Sequence, residues 1–122
     1  MTQNKPIRVG IIGTGFAAKL RADTFYTDDR THLVAVAGNN LDHTQTFARS
    51  YNAEVVADWQ ELVQRQDIDL VAICTINSLH GAIASLALQH GKHVIIEYPL
   101  SLDPIEAEEL ITLAATHSLL LH

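Results

Sequence analysis

A short run of small residues between an apolar segment and a helical segment is the part of the sequence best suited to hold a ligand. Residues 7–12 lead into a Gly-x-Gly-x-x-Ala pattern. Glycines here allow a tight turn and a close approach of backbone N–H groups to a pyrophosphate, and the helix N-terminus adds partial positive charge. The pattern predicts a dinucleotide site, with a ligand-free glycine-rich turn as the alternative. The candidate residues are Gly13, Thr14, Gly15, Phe16, Ala17 and Ala18.

The loop after the second predicted strand indicates which dinucleotide is bound. A carboxylate at this position binds the ribose 2′-hydroxyl of NAD and repels the 2′-phosphate of NADP. The sequence has Gly38, Asn39 and Asn40 there, and Asp42 is interpreted as the cap of the next helix. Asn39 and Asn40 can donate hydrogen bonds to a phosphate, which favours NADP(H) over the alternative, NAD(H). Asparagines also serve turns without any ligand.

Small hydrogen-bonding residues follow the fourth predicted strand. Thr75, Ile76 and Asn77 are expected beside the nicotinamide ribose, although Asn77 is equally suited to cap a helix. His80 is placed in the first turn of that helix as a further candidate for cofactor binding, and its ring is expected to face either the cleft or solvent. A lone histidine is more often structural, and the other histidines show no metal-ligand spacing, so the sequence predicts no metal site.

A carboxylate and a phenol follow the fifth predicted strand. Glu97 ends an apolar segment, where a carboxylate without a partner is costly. Tyr98 presents a phenol over the cleft that can donate a proton, hydrogen-bond a carboxamide or stack on a ring. We interpret Tyr98 and Glu97 as the candidate catalytic residues and as neighbours of the cofactor. A purely structural role for Tyr98 is the alternative.

The order of the elements brings these loops together. Short apolar segments alternate with helical segments along the chain, which indicates right-handed βαβ crossovers and a parallel sheet. The sequence predicts the α/β class and a doubly wound Rossmann fold of three α/β/α layers, with strand order 3-2-1-4-5-6. The first helix is expected over residues 16–27, and residues 119–121 are expected to form the sixth strand. Ligands of such sheets lie outside the carboxyl ends of the strands.

Length and charge set limits on the kind of protein. The 122 residues suffice for one domain with its own core, and the formal net charge of −6 argues against nucleic-acid binding. The single cysteine, Cys74, is typical of a reducing compartment, and neither a signal peptide nor a membrane span is recognised, so a cytoplasmic location is expected. Residues 1–122 are interpreted as a nucleotide-binding domain whose substrate domain is absent, which makes self-association of the exposed face plausible.

Three motifs together resemble the glucose–fructose oxidoreductase/inositol dehydrogenase/MocA family. They lie at residues 13–18, 75–80 and 91–100, and the resemblance covers the nucleotide-binding half of that family. The family's second motif is usually Thr-Pro-Asn-x-x-His, and Ile76 departs from it. Its third motif is usually Glu-Lys-Pro, whose lysine lies at the nicotinamide and assists hydride and proton transfer. Tyr98 replaces that lysine here, which argues against ordinary sugar-alcohol oxidation.

The Glu-Tyr-Pro form is similar to that of biliverdin reductases of the cyanobacterial type. This resemblance implies NADPH-dependent reduction of the C10 bridge of biliverdin to bilirubin. It further implies that a tetrapyrrole substrate lies against a second domain, that Tyr98 stands near the nicotinamide, and that Glu97 orients the loop. A sugar or cyclitol dehydrogenase and a non-catalytic nucleotide-binding module are the alternatives.

Overall fold

Residues 5–122 are described by a computed structural model, in which a five-stranded parallel sheet lies between two layers of helices. The strands are β1 (Ile7–Ile12), β2 (Thr31–Ala37), β3 (Glu54–Val56), β4 (Leu70–Ile73) and β5 (His93–Ile96). The helices are α1 (Phe16–Thr27), α2 (Leu41–Arg49), α3 (Trp59–Gln64), α4 (His80–Gln89) and α5 (Pro104–Thr116), and a 3₁₀ turn (Asn77–Leu79) precedes α4. The strand order is β3-β2-β1-β4-β5, which confirms the predicted Rossmann arrangement for these five strands.

The predicted sixth strand at residues 119–121 is wrong as a strand. This segment makes a single parallel bridge, between Leu121 and Val94 of β5. The backbone N–H of His122 donates to the Val94 carbonyl at 2.9 Å, and the N–H of Ile96 donates to the His122 carbonyl at 2.8 Å. Only this short stretch runs beside β5, and one bridge is too few paired residues to count as a strand of the sheet.

The core lies on both faces of the sheet because its strands are apolar on both faces, as parallel strands covered by helices must be. On one face, Val9 and Ile11 of β1 pack with Ala18, Ala22 and Phe25 of α1. The other face is covered by residues of α3, α4 and α5, among them Leu62, Ile83, Leu88 and Leu110. The helices cover both faces of the sheet and leave its carboxyl edge to the loops that follow the strands. Within residues 5–122, no helix is both long and apolar enough to span a membrane.

Side-chain caps set the starts of several helices. Asp58 and Asp103 each stand three residues before a glutamate, Glu61 and Glu106, a sequence pattern that predicts a helix cap. Both caps are confirmed, because Asp58 accepts from the N–H groups of Gln60 and Glu61 and Asp103 accepts from the N–H of Ile105. The expectation that Asp42 caps α2 is wrong. That helix begins at Leu41, so its cap is Asn40, whose side chain accepts from the N–H of His43 at 3.0 Å. Asp42 lies in the first turn instead, where its charge favours the positive end of the helix.

Candidate dinucleotide and catalytic site

A cleft of about 570 Å³ opens at the carboxyl edge of the sheet, between the loops that follow β1, β2, β3 and β4. We call it the cofactor cleft. It lies at the point where the strand order reverses between β1 and β4, which is where ligands of doubly wound sheets bind. Its wall contains Ile12, Gly13, Thr14, Gly15, Gly38, Asn39, Ala57, Asp58, Trp59, Gln60, Cys74, Thr75, Ile76 and Leu79.

The two glycines of the first loop differ in what surrounds them. Gly13 has φ +116°, and a Cβ built on it would lie 2.3 Å from the carbonyl oxygen of Cys74. This residue is therefore required by the fold itself. A Cβ built on Gly15 meets nothing within 4 Å, and the residue is exposed in extended backbone at the start of α1. The space above Gly15 is open to a ligand, as a pyrophosphate at a helix N-terminus requires.

The remaining residues of the Gly-x-Gly-x-x-Ala pattern divide between packing and surface. Ala18 is fully buried against the sheet, where a larger side chain would push α1 away from β1. Phe16, by contrast, is 79% exposed and lies outside the cofactor cleft, in a shallow groove between α1 and α2. Ala17 is half-buried. The contribution of this segment to the cleft therefore comes from residues 13–15.

The two asparagines after β2 take different positions. Asn39 is exposed and lines the cofactor cleft, close to the end of β2. Asn40 does not line it, because its carboxamide oxygen caps α2. The loop is held beneath them by Thr44, which is buried and donates through Oγ1 to the Asn40 carbonyl at 2.7 Å. Of the two candidates, Asn39 alone is placed to contact a ligand in the cleft.

The loop after β3 also belongs to the cofactor cleft, and the sequence analysis missed it. Trp59 lies there directly after the cap residue Asp58, half-buried, with Gln60 beside it. In a parallel sheet the carboxyl ends of all strands lie at the same edge. The position of Trp59, just after a short predicted strand, therefore indicates from sequence that it lies near the cleft. An indole wall of this kind suits a flat aromatic ring such as adenine.

The loop after β4 brings Thr75 and Ile76 to the cleft but not Asn77. The Asn77 side chain is exposed and makes no cap hydrogen bond, so the alternative role of helix cap is wrong for this residue. His80 faces neither the cleft nor solvent, contrary to expectation. Its ring is fully buried, because it fills the space between the loops after β4 and β5.

Both ring nitrogens of His80 meet backbone carbonyl oxygens. Nδ1 lies 2.7 Å from the carbonyl oxygen of Pro99, and Nε2 lies 3.1 Å from that of Thr75. A neutral imidazole carries one N–H and can donate only one of these bonds, whereas the protonated ring donates both. In either form the ring connects residues on two separate loops.

Glu97 is the carboxylate at the end of β5, and it is not left without a partner. Its Oε1 accepts from Nε of Arg21 on α1 at 2.9 Å, and both side chains are partly buried. Cys74 lies close to this pair. Burial, and then the negative charge of Glu97, raise the pKa of the Cys74 thiol to about 12. The thiol is therefore neutral and a poor nucleophile at ordinary pH.

Tyr98 stands out from the segment around it, residues 97–103, which we call the Tyr98 loop. Its side chain is 94% exposed, the highest exposure among the large hydrophobic side chains of residues 5–122. It also borders a groove of about 600 Å³ between β5, α5 and residues 119–122, whose wall is largely apolar. The phenol thus lies between the carboxyl edge of the sheet and an apolar surface. Among residues 5–122, no three histidine, cysteine or acidic side chains come together as metal ligands would.

Comparison with known proteins places this geometry in a family. Residues 7–122 match the model of the Gfo/Idh/MocA oxidoreductase family, NAD-binding Rossmann fold. The biliverdin reductase of Synechocystis sp. PCC 6803, solved with biliverdin and NADP⁺, superposes with a TM-score of 0.94 at 48% identity, over 97% of this chain and 37% of that one.

Two further enzymes are also similar. A 3-ketoreductase from Actinomadura kijaniata, solved with NADP and TDP-benzene, has a TM-score of 0.91 at 33% identity, over 96% of this chain and 36% of that one. D-glucoside 3-dehydrogenase of Escherichia coli (strain K12) is 36% identical over 88% of this chain and 31% of its own length. The chain spans about a third of the length of these relatives. It belongs to the Gfo/Idh/MocA family of oxidoreductases and carries that family's NAD-binding Rossmann fold.

Proposed function

We propose that residues 1–122 bind NADP(H) in the cofactor cleft, with NAD(H) as the weaker ligand. The pyrophosphate is assigned to the open space above Gly15, where a side chain would otherwise stand. The adenine is assigned to the wall formed by Trp59, and the 2′-phosphate to Asn39, since no carboxylate is present there to repel it. Thr75 and Ile76 then face the nicotinamide ribose. In this chain, the dinucleotide binding of the family would thus depend on Gly15, Asn39, Trp59, Thr75 and Ile76.

We further propose that the enzyme reduces a linear tetrapyrrole of the biliverdin type. The observation that carries this proposal is the exposed phenol of Tyr98 at the position where the family usually has lysine. A phenol does not polarise a sugar hydroxyl as an ammonium does, but it can stack on and hydrogen-bond a flat conjugated substrate. The greater identity to a biliverdin reductase, 48% against 33% for the ketoreductase, supports the same choice.

When bound in the cofactor cleft, the dinucleotide would supply the hydride that the C10 bridge of the substrate takes up. The residues of this chain hold the reacting groups in place and orient them. Arg21 and Glu97 fix the end of β5, and Tyr98 projects over the edge of the sheet, where its hydroxyl can donate the proton that a pyrrole nitrogen takes up. Two electrons and two protons in total convert biliverdin to bilirubin, so the balance closes with one hydride and one proton. In a protein of the relatives' length, a second domain would cover the opposite face of the tetrapyrrole.

A sugar or cyclitol oxidoreductase is the second candidate. It is favoured by the relatives that act on sugars, including the D-glucoside 3-dehydrogenase and a dTDP-3,4-didehydro-2,6-dideoxy-alpha-D-glucose 3-reductase at 35% identity. Such an enzyme would need another group to polarise the substrate's oxygen, since the family's lysine is replaced by Tyr98. In either case a reducing compartment such as the cytoplasm suits the one cysteine, Cys74, which is free.

Cofactor binding can be tested with a probe that the chain already contains. Trp59 is the single tryptophan and lines the cofactor cleft. Bound NADPH or NADH accepts energy from an excited indole, so each titration is followed by the loss of indole emission. We expect NADPH to bind at least about tenfold more tightly than NADH. Equal affinities would contradict the role of Asn39, and no binding of either would refute the cofactor assignment.

The substrate is tested by turnover. A polypeptide of the relatives' length that contains residues 1–122 is mixed with NADPH, and oxidation of the nicotinamide is followed with biliverdin and with the oxidised forms of sugars. We expect oxidation with biliverdin, and a fall in kcat of about 100-fold in Tyr98→Phe with unchanged NADPH affinity. Oxidation with a ketosugar alone would replace the proposal by the second candidate. The matched control is Tyr26→Phe, at an exposed tyrosine on α1.

A further inference from the structure

The residues on either side of Tyr98 are anchored, although the phenol itself has no partner among residues 5–122. Glu97 is held from α1 by Arg21, at 2.9 Å. The carbonyl oxygen of Pro99 lies 2.7 Å from Nδ1 of His80, at the start of α4. The residues directly before and after Tyr98 are therefore both held in place. This is the arrangement expected of a side chain whose position has to be maintained while its surface stays open.

The anchor on the Pro99 side is itself part of a larger contact. The N-terminal turn of α4 also supports the far end of the Tyr98 loop through α5. The Glu106 carboxylate of α5 lies directly against Gly81 of α4 and accepts from the hydroxyl of Ser101 in the loop. A Cβ at Gly81 would overlap that carboxylate, so the two helices meet without any gap. The start of α4 thus forms a rigid support under the loop.

His80 connects this support to the cofactor cleft. Its Nε2 lies 3.1 Å from the carbonyl oxygen of Thr75, and Thr75 lines the cleft. No part of the ring is exposed, so neither water nor a ligand competes for these contacts. Loss of the buried ring would remove its contacts to both carbonyl oxygens and so release both loops at once.

We propose that His80 is a positioning residue that couples the cleft residue Thr75 to the loop that carries Tyr98. The inference rests on the proposed function, because it assigns the coupled loops to the nicotinamide ribose and to the proton donor. The ring holds the two at a fixed separation, so that a dinucleotide bound against Thr75 meets the phenol in one arrangement.

The two arms of the ring can be separated by substitution. The amide nitrogen of asparagine stands close to the position of Nδ1, so His80→Asn keeps the contact to Pro99 and loses the one to Thr75. The amide nitrogen of glutamine stands close to that of Nε2, so His80→Gln does the reverse. His80→Phe removes both. His32→Gln is the matched control, because His32 is exposed on β2.

Two measurements on the isotopically labelled chain decide the proposal. The first is the backbone order parameter at Tyr98 from nitrogen relaxation, which we expect near about 0.85 in the unsubstituted chain and in His80→Asn. We expect it below about 0.6 in His80→Gln and His80→Phe. The second is the Kd of NADP⁺, which we expect to rise about threefold to tenfold in His80→Asn and His80→Phe and to stay within about twofold in His80→Gln.

Opposite behaviour of the asparagine and glutamine variants supports the coupling, and the same behaviour in both overturns it. This comparison remains decisive if His80→Phe fails to fold. If the unsubstituted chain binds no NADP⁺, the cofactor assignment is refuted. The order parameters alone still decide whether His80 holds the Tyr98 loop.

Discussion

The two ends of the proposed site are built in opposite ways. The cofactor cleft is formed by backbone, small side chains and one indole, and its central feature is the empty space above Gly15. The Tyr98 loop is formed by side-chain contacts from α1, α4 and α5, and its central feature is a projecting phenol. In the cofactor cleft, the missing side chain of Gly15 leaves room for a ligand. In the Tyr98 loop, contacts to the neighbouring residues hold the exposed phenol in position. Substitutions should therefore act differently on the two ends.

The largest expected effect is on folding, at the glycine that the backbone requires. In Gly13→Ala a methyl group has to fit 2.3 Å from the Cys74 carbonyl oxygen at φ +116°. We expect the free energy of unfolding to fall by about 3 kcal/mol. Urea unfolding followed by circular dichroism measures this, and a loss below about 1 kcal/mol would show that the turn can relax.

The neighbouring glycine is expected to affect binding and not folding. In Gly15→Val the new side chain enters open space, so we expect the free energy of unfolding to stay within about 1 kcal/mol. The same side chain occupies the place assigned to the pyrophosphate, and the Kd of NADPH should rise at least about 100-fold. Energy transfer from Trp59 measures it. Normal affinity in a folded variant would remove the pyrophosphate from this position.

The contrast between the two ends also explains what the sequence could predict. The glycine pattern, the bounds of α1 and the caps at Asp58 and Asp103 depend on neighbours within a few residues, and all of these agree with the structure. The pair of Arg21 with Glu97 joins residues 76 apart, and local pattern carries no information about such a contact.

The predictions that the structure contradicts each failed for a physical reason. Asn40 and Asp42 are both good caps, and the choice between them depended on where α2 begins. His80 was expected to face the cleft or solvent, whereas its ring is buried against the carbonyl oxygens of Pro99 and Thr75, and the sequence gives no sign of these two loops meeting. Residues 119–121 have the composition of a strand, but they pair with β5 through one bridge.

A smaller effect should sharpen the comparison within the cofactor cleft. Asn39→Asp places a carboxylate where we assign the 2′-phosphate, so the Kd of NADPH should rise about tenfold while that of NADH falls or stays unchanged. Asn40→Asp is the matched control, since an aspartate there keeps the cap on α2 and lies outside the cleft. If both variants shift NADPH affinity equally, the effect is one of net charge and not of position.

A pH dependence that is absent at neutral pH is expected between the two ends, at Cys74. Its pKa is about 12 in the folded chain against an ordinary value of 9.0, because burial and then Glu97 disfavour the thiolate. The neutral thiol therefore contributes its full stability below pH 9.0, and that contribution is lost as pH rises toward about 12. Urea midpoints across this range should fall more steeply for the unsubstituted chain than for Cys74→Ala. Parallel curves would contradict the shift.

The bridge between Leu121 and Val94 has a practical consequence for the placement of a fusion partner or tag. Because residues 120–122 run parallel to β5, they leave the sheet at the edge that carries the cofactor cleft and Tyr98. A fluorescent protein or affinity tag joined after His122 would emerge beside the proposed site and obstruct access to it. The first strand starts at the opposite edge, so a tag placed ahead of β1 keeps the working face clear.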